Sequence, residues 1–125
     1  MLYEDLTYAI RAAIFNVHKE LGPGLLERVY EAALCHELKL QGLKSKSQVP
    51  IDVQYKDVNL NIGFYIDILV EDTVILEIKS VEYLHDVHKK QVLTYLKLSN
   101  KKIGFLINFN SKLLIDKDTL VRIVN

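Results

Sequence analysis

Tyr65-Ile66-Asp67-Ile68-Leu69-Val70-Glu71-Asp72-Thr73-Val74-Ile75-Leu76-Glu77-Ile78-Lys79 is the stretch that decides the fold. Two apolar, β-branched runs flank three polar residues, which reads as an antiparallel hairpin. Side chains alternate along a strand, so Asp67 keeps company with Tyr65 and Leu69, and Glu77 with Ile75 and Lys79. A three-residue loop at Glu71-Asp72-Thr73 sets Val70 opposite Val74 and, counted outward, Asp67 across from Glu77 on one face. A two-residue loop separates them. Like charges directly opposite each other destabilise an antiparallel pair. Two carboxylates placed there therefore call for a cation, and a divalent metal meets that need.

Outward from the hairpin, the periodicity changes. Leu6, Ala9, Ile10, Ala13, Ile14, Val17 and Leu21 predict an amphipathic helix over Leu6 to Leu21, ended by Gly22-Pro23-Gly24. Leu26, Val29, Tyr30, Ala33, Leu34 and Leu38 predict a second, stopped by Gly42. Strands are expected over Gln48 to Tyr55, Val58 to Val70 and Val74 to Val81, with a turn at Lys56-Asp57. A third helix is expected over Leu84 to Leu98, with Leu84, Val87, Gln91, Tyr95 and Leu98 as its inward stripe. An amide in that stripe needs a specific partner, because burying it unsatisfied is costly. Lys101 to Phe109 and Val121 to Val124 complete the strands. The order predicts an α/β fold: a mixed central sheet flanked by helices, with a right-handed crossover joining parallel strands around the third helix.

The chain has 125 residues, half of them hydrophobic, enough for one cored domain spanning 1–125. Sixteen basic residues balance sixteen acidic ones, so no global charge advertises a polyanionic partner. Lysines gather late, at Lys89, Lys90, Lys97, Lys101 and Lys102 beside His85 and His88, as a local patch for phosphate or simply a solvated face. Cys35 alone rules out an internal disulfide and a cysteine-based zinc site. No run approaches the ~18 apolar residues of a membrane span, and the start lacks a secretory pattern, so the expectation is a cytoplasmic protein with no membrane partner.

Gly24-Leu25-Leu26-Glu27-Arg28-Val29-Tyr30, Asp67 followed by Glu77-Ile78-Lys79, Gln91-Val92-Leu93-Thr94-Tyr95, and Ile107-Asn108-Phe109-Asn110 occur in that order. Together they resemble the GxxExxY family of the PD-(D/E)xK nuclease superfamily, over almost the whole chain. The resemblance implies a restriction-endonuclease-like core and a nuclease activity. The chain departs from it where Asp116-Lys117-Asp118-Thr119-Leu120 precedes Arg122-Ile123-Val124, in place of a glycine or basic stretch.

Each site residue carries two readings. Asp67 and Glu77 are hard oxygen donors suited to Mg²⁺, with Mn²⁺ as an alternative, or two solvated acids. Lys79 projects beside Glu77 to steady an attacking water and offset developing negative charge, or is a surface lysine paired to Glu77. Glu27 is a third metal ligand or a carboxylate favoured at a helix N-terminus. Gln91 completes the site by holding a carboxylate or a water, and Tyr95, His88 and Lys89 are the expected substrate contacts; the bland alternatives are a core ring for Tyr95, a surface histidine for His88 and a solvated face for Lys89. The function expected is Mg²⁺-dependent phosphodiester hydrolysis by metal-activated water, on DNA, with a homodimer or partner protein for sequence-selective cutting. The rivals are an inactive nucleic-acid-binding or interaction module and a plain structural domain.

Overall fold

The computed structural model describes residues 3–125. Its elements follow the order α1 (Glu4–Leu21), α2 (Glu27–Leu40), β1 (Ser45–Tyr55), β2 (Val58–Val70), β3 (Val74–Lys79), α3 (Asp86–Ser99), β4 (Ile103–Asn108) and β5 (Leu120–Val124). The five strands lie in sequence order in one sheet. Pairing is antiparallel except between β3 and β4, which run parallel and are joined through α3. This is the mixed, helix-flanked α/β architecture that the sequence predicts, consistent with a restriction-endonuclease-like core.

The sheet is covered on both faces. Ile10, Ile14 and Val17 of α1 and Tyr30, Leu34 and Leu38 of α2 pack with Ile68, Leu76, Ile78, Phe105 and Ile107 in one core. Val92 and Leu96 of α3 pack with Ile66, Leu69, Ile75 and Leu106 in the other. Strands buried on both faces read as unbroken apolar runs, as β4 does from Ile103 to Ile107, with the buried polar Asn108 at its end. Each fully buried aliphatic side chain contributes about 1.5–3 kcal/mol over leaving it in water.

The inward stripe of α3 differs from the expected one. Leu84 and Tyr95 pack against the core as expected, and Val92 and Leu96 are buried, whereas Val87 is 65% exposed, Leu98 46% exposed and Gln91 exposed. Both stripes have helical spacing, and the sheet chooses between them. Gly104 of β4 leaves a gap, since a Cβ there would stand 3.2 Å from Val92 Cγ1, so α3 seats Val92 over the glycine. β3 also ends at Lys79 rather than Val81, because Val81 turns away to bond the Asn108 side chain.

Candidate active site

The hairpin turn is the three-residue kind. Val70 pairs with Val74, and Leu69 and Ile68 pair with Ile75 and Leu76. Glu71 and Asp72 reach φ values of 51° and 54°, and Thr73 N–H donates to Val70 O at 2.9 Å. Beyond Ile68 and Leu76 the side chains take over from the backbone ladder. Asp67 N–H donates to Glu77 Oε1 at 3.2 Å, and Ile78 N–H donates to Asp67 Oδ2 at 2.9 Å. Each acid thus accepts a backbone proton from the other's strand, which holds the two carboxyl groups together.

Simple alternation fails at this point. Ile68 belongs to the core under α1 and α2, yet Ile66 belongs to the core under α3. In an even pleat those two would share a face. The matching irregularity on β1 is Gln48, whose φ is 52° while its neighbours Ser47 and Val49 pair normally with Ile68 and Ile66.

Burial makes the acid pair electrostatically costly. Glu77 is 4% exposed, and its carboxyl is pushed up to about 8, first by loss of water and then by the charge of Asp67. Asp67 is raised as well, again mainly by burial, with the Ile78 amide, the Gln48 side chain and Lys79 pulling the other way. Near neutral pH the pair therefore retains a proton in the absence of a cation.

Lys79 is half-buried at the end of β3 and acts electrostatically on both acids. Among the described residues the ion pairs join Arg11 to Asp116 and Lys101 to Asp72, so Lys79 does not close onto Glu77. Glu27 opens α2 and accepts from Ser80 N–H at 3.0 Å; its charge also reaches Asp67. Gln91 donates to Tyr95 Oη at 2.9 Å, a helix-surface pair rather than an amide bonded to a site carboxylate. The Tyr95 ring stacks on Phe64 with centroids 3.9 Å apart, and its hydroxyl is raised by burial and then by Glu77 and Asp67. His88 Nδ1 accepts from His85 N–H at 3.0 Å at the start of α3, and burial and Lys79 lower its pKa. Lys89 is half-buried beside it in sequence.

The motif residues around Glu27 are structural braces. Tyr30 is fully buried, stacks on Phe109 at 4.6 Å, donates to Gly22 O at 2.6 Å and accepts from Leu25 N–H at 3.1 Å. Gly24, with φ 99°, bonds Asn110 Oδ1 through its N–H, a backbone conformation open chiefly to glycine. Asn108, 1% exposed, grips Val81 through both its N–H and its carbonyl. Ser80 Oγ donates to Leu25 O at 2.7 Å. The α1–α2 elbow is thereby clipped to the end of β3, next to Lys79.

Sequence reasoning missed Gln48, Glu31 and Ser80. Gln48 Nε2 donates to Glu31 Oε1 at 3.0 Å and approaches Asp67 Oδ1 at 3.4 Å. Glu31 lies one turn beyond Glu27 on α2, a spacing that marks a shared helix face. Nothing in the sequence signals the left-handed backbone of Gln48.

The donors fit a small hard cation. Mg²⁺ is typically held by one or two carboxylates while keeping several waters, and two adjoining, desolvated carboxyl groups are what the hairpin presents. A triad is not formed: among the described residues no group of three His, Cys, Asp or Glu side chains is arranged for an ion. Glu27 is drawn to Ser80 instead.

A family model of the PD-(D/E)XK nuclease superfamily matches residues 4–122, and the chain belongs to that superfamily. Searches of curated proteins and of solved structures returned no match. No described helix is long and apolar enough to cross a membrane.

Proposed function

We propose that the chain is a Mg²⁺-dependent phosphodiesterase of the GxxExxY group, a cytoplasmic nuclease that cleaves DNA and also accepts Mn²⁺. The observation that carries this reading is the interlocked Asp67–Glu77 pair, buried enough to hold a proton that a cation would displace. A fold meant only for stability would lose free energy by placing two acids there.

In this reading Asp67 and Glu77 hold the ion, and Glu27 joins them by way of water or by leaving the Ser80 amide. When bound, the ion supplies Lewis-acid polarisation of a phosphoryl oxygen and a more acidic water. Lys79 provides positive charge where negative charge builds on the phosphorus centre. In this reading its role is electrostatic support of the transition state. Tyr95 lies within electrostatic reach of Glu77 and Asp67, and His88 of Lys79 and Glu27; in this reading both contact the substrate backbone together with Lys89, with Gln91 orienting the Tyr95 hydroxyl. The whole chain acts as a single domain, and selectivity for a sequence comes from a second copy or a partner protein.

The test is a nuclease assay on single-stranded and duplex DNA and RNA with Mg²⁺, Mn²⁺ or EDTA, comparing the parent with Glu77→Ala. Metal-dependent cleavage lost in the variant supports the reading. DNA binding without cleavage in either protein identifies an inactive module, and absence of both metal and nucleic-acid binding leaves only a structural domain.

A further inference from the structure

We propose that Gln48 is a positioning residue for Asp67, holding that carboxylate in the orientation from which it takes part in metal binding. The proposal rests on the nuclease reading above and adds to it a residue outside the Asp, Glu and Lys signature.

Three observations converge on Gln48. Its backbone is left-handed, with φ 52°, in the interior of β1, a conformation sparsely populated by residues with a side chain. Such an outlier persists only where surrounding structure imposes it. The pairs on either side, Ser47 with Ile68 and Val49 with Ile66, leave Gln48 opposite Asp67. That is the same point at which β2 changes the face it turns to each core. The side chain is then held at its far end, where Nε2 donates to Glu31 Oε1 at 3.0 Å and lies 3.4 Å from Asp67 Oδ1.

The chemistry of an amide suits this task. Asp67 Oδ2 is already fixed by the Ile78 amide, so a contact at Oδ1 removes the remaining rotational freedom of the carboxylate. A lysine or arginine in place of Gln48 would compete with an incoming cation. The neutral amide orients the carboxylate without neutralising it. Glu31 in turn directs the amide, so that α2 reaches Asp67 through two side chains. Partners of this kind, one step removed from an ion, typically alter metal affinity by about 10–100-fold when removed.

The experiment is Mn²⁺ titration by calorimetry, with metal-free melting temperatures measured in parallel, on the parent, Gln48→Gly, Glu31→Ala and the double variant. Glycine adopts a left-handed backbone freely, so Gln48→Gly removes the amide without straining β1. The expected result is Mn²⁺ affinity reduced about 10–100-fold in Gln48→Gly, with a melting temperature near that of the parent. Glu31→Ala should weaken binding less, and the double variant should bind no more weakly than Gln48→Gly, because Glu31 acts through the amide. Cleavage by Gln48→Gly should return toward the parent rate at saturating Mn²⁺. If Gln48→Gly does not fold, Glu31→Ala decides the question alone, since it leaves the strand untouched. Parental Mn²⁺ affinity in Gln48→Gly overturns the proposal while leaving the nuclease reading intact, whether or not the melting temperature drops. A parent that binds no Mn²⁺ overturns both.

Discussion

Replacing Glu77 by glutamine in the metal-free protein should remove most of the fall in stability that the parent shows as pH rises. The Glu77 carboxyl titrates near 8 in the folded chain against a reference of 4.5, so between those values the folded state keeps a proton that the unfolded state releases. Unfolding then frees a proton, and stability falls as pH rises through this window, by about 1.4 kcal/mol per pH unit for one proton. From pH 5 to pH 8 the parent should lose on the order of a few kcal/mol. The raised Asp67 carboxyl adds loss of the same sign at the acidic end. Glutamine resembles the protonated acid: its carbonyl can accept from Asp67 N–H, and its amide can donate to the Asp67 carboxylate. Glu77→Gln should therefore match the parent near pH 5 and exceed it at pH 8, by roughly 10 °C in melting temperature at a few degrees per kcal/mol. Urea denaturation in EDTA at pH 5, 6, 7 and 8 measures this directly. Parallel stability profiles for the two proteins would refute the claim that Glu77 is held protonated by burial beside Asp67.

Lys79→Met keeps the aliphatic stem and removes the charge; DNA cleavage should fall about 100-fold or more, while calorimetry shows Mn²⁺ binding retained. Tyr30→Phe leaves Gly22 O and Leu25 N–H without their buried partner, and should cost about 1–3 kcal/mol in chemical denaturation. Gly63→Ala would set a Cβ 1.8 Å from Ile51 O, so β1 and β2 must separate there. A loss of more than about 3 kcal/mol, with amide shifts concentrated in residues 49–66, is expected by denaturation and NMR.

The hairpin was legible because two β-branched runs around Glu71-Asp72-Thr73 act locally; the sequence left a two- or three-residue loop open, and the three-residue form, with Val70 opposite Val74, is the one that brings Asp67 and Glu77 together. The parallel β3–β4 pairing also followed from order alone, since a helix between two strands permits few other routes. The facing of α3 was not legible. Val87 and Val92 have equal apolar character, and the space beside Gly104 in which Val92 seats is supplied by a strand that follows in sequence. Gln48 was invisible for a similar reason, because its amide meets Asp67 on the neighbouring strand and Glu31 on α2, both distant in sequence. Gln91 was expected to hold a site carboxylate or a water; its amide bonds Tyr95 and its side chain is exposed on α3.

The two halves of the site differ in how far the chain must travel to build them. Asp67 and Glu77 meet across a short hairpin, whereas Glu27 and Ser80, or Gly24 and Asn110, join segments distant in sequence. Closing a short loop is entropically easier than closing a long one, so the acids can assemble before the elbow docks. The long-range clasp, anchored by the buried Tyr30 and by Asn108, then comes to rest on a platform that the hairpin has already supplied.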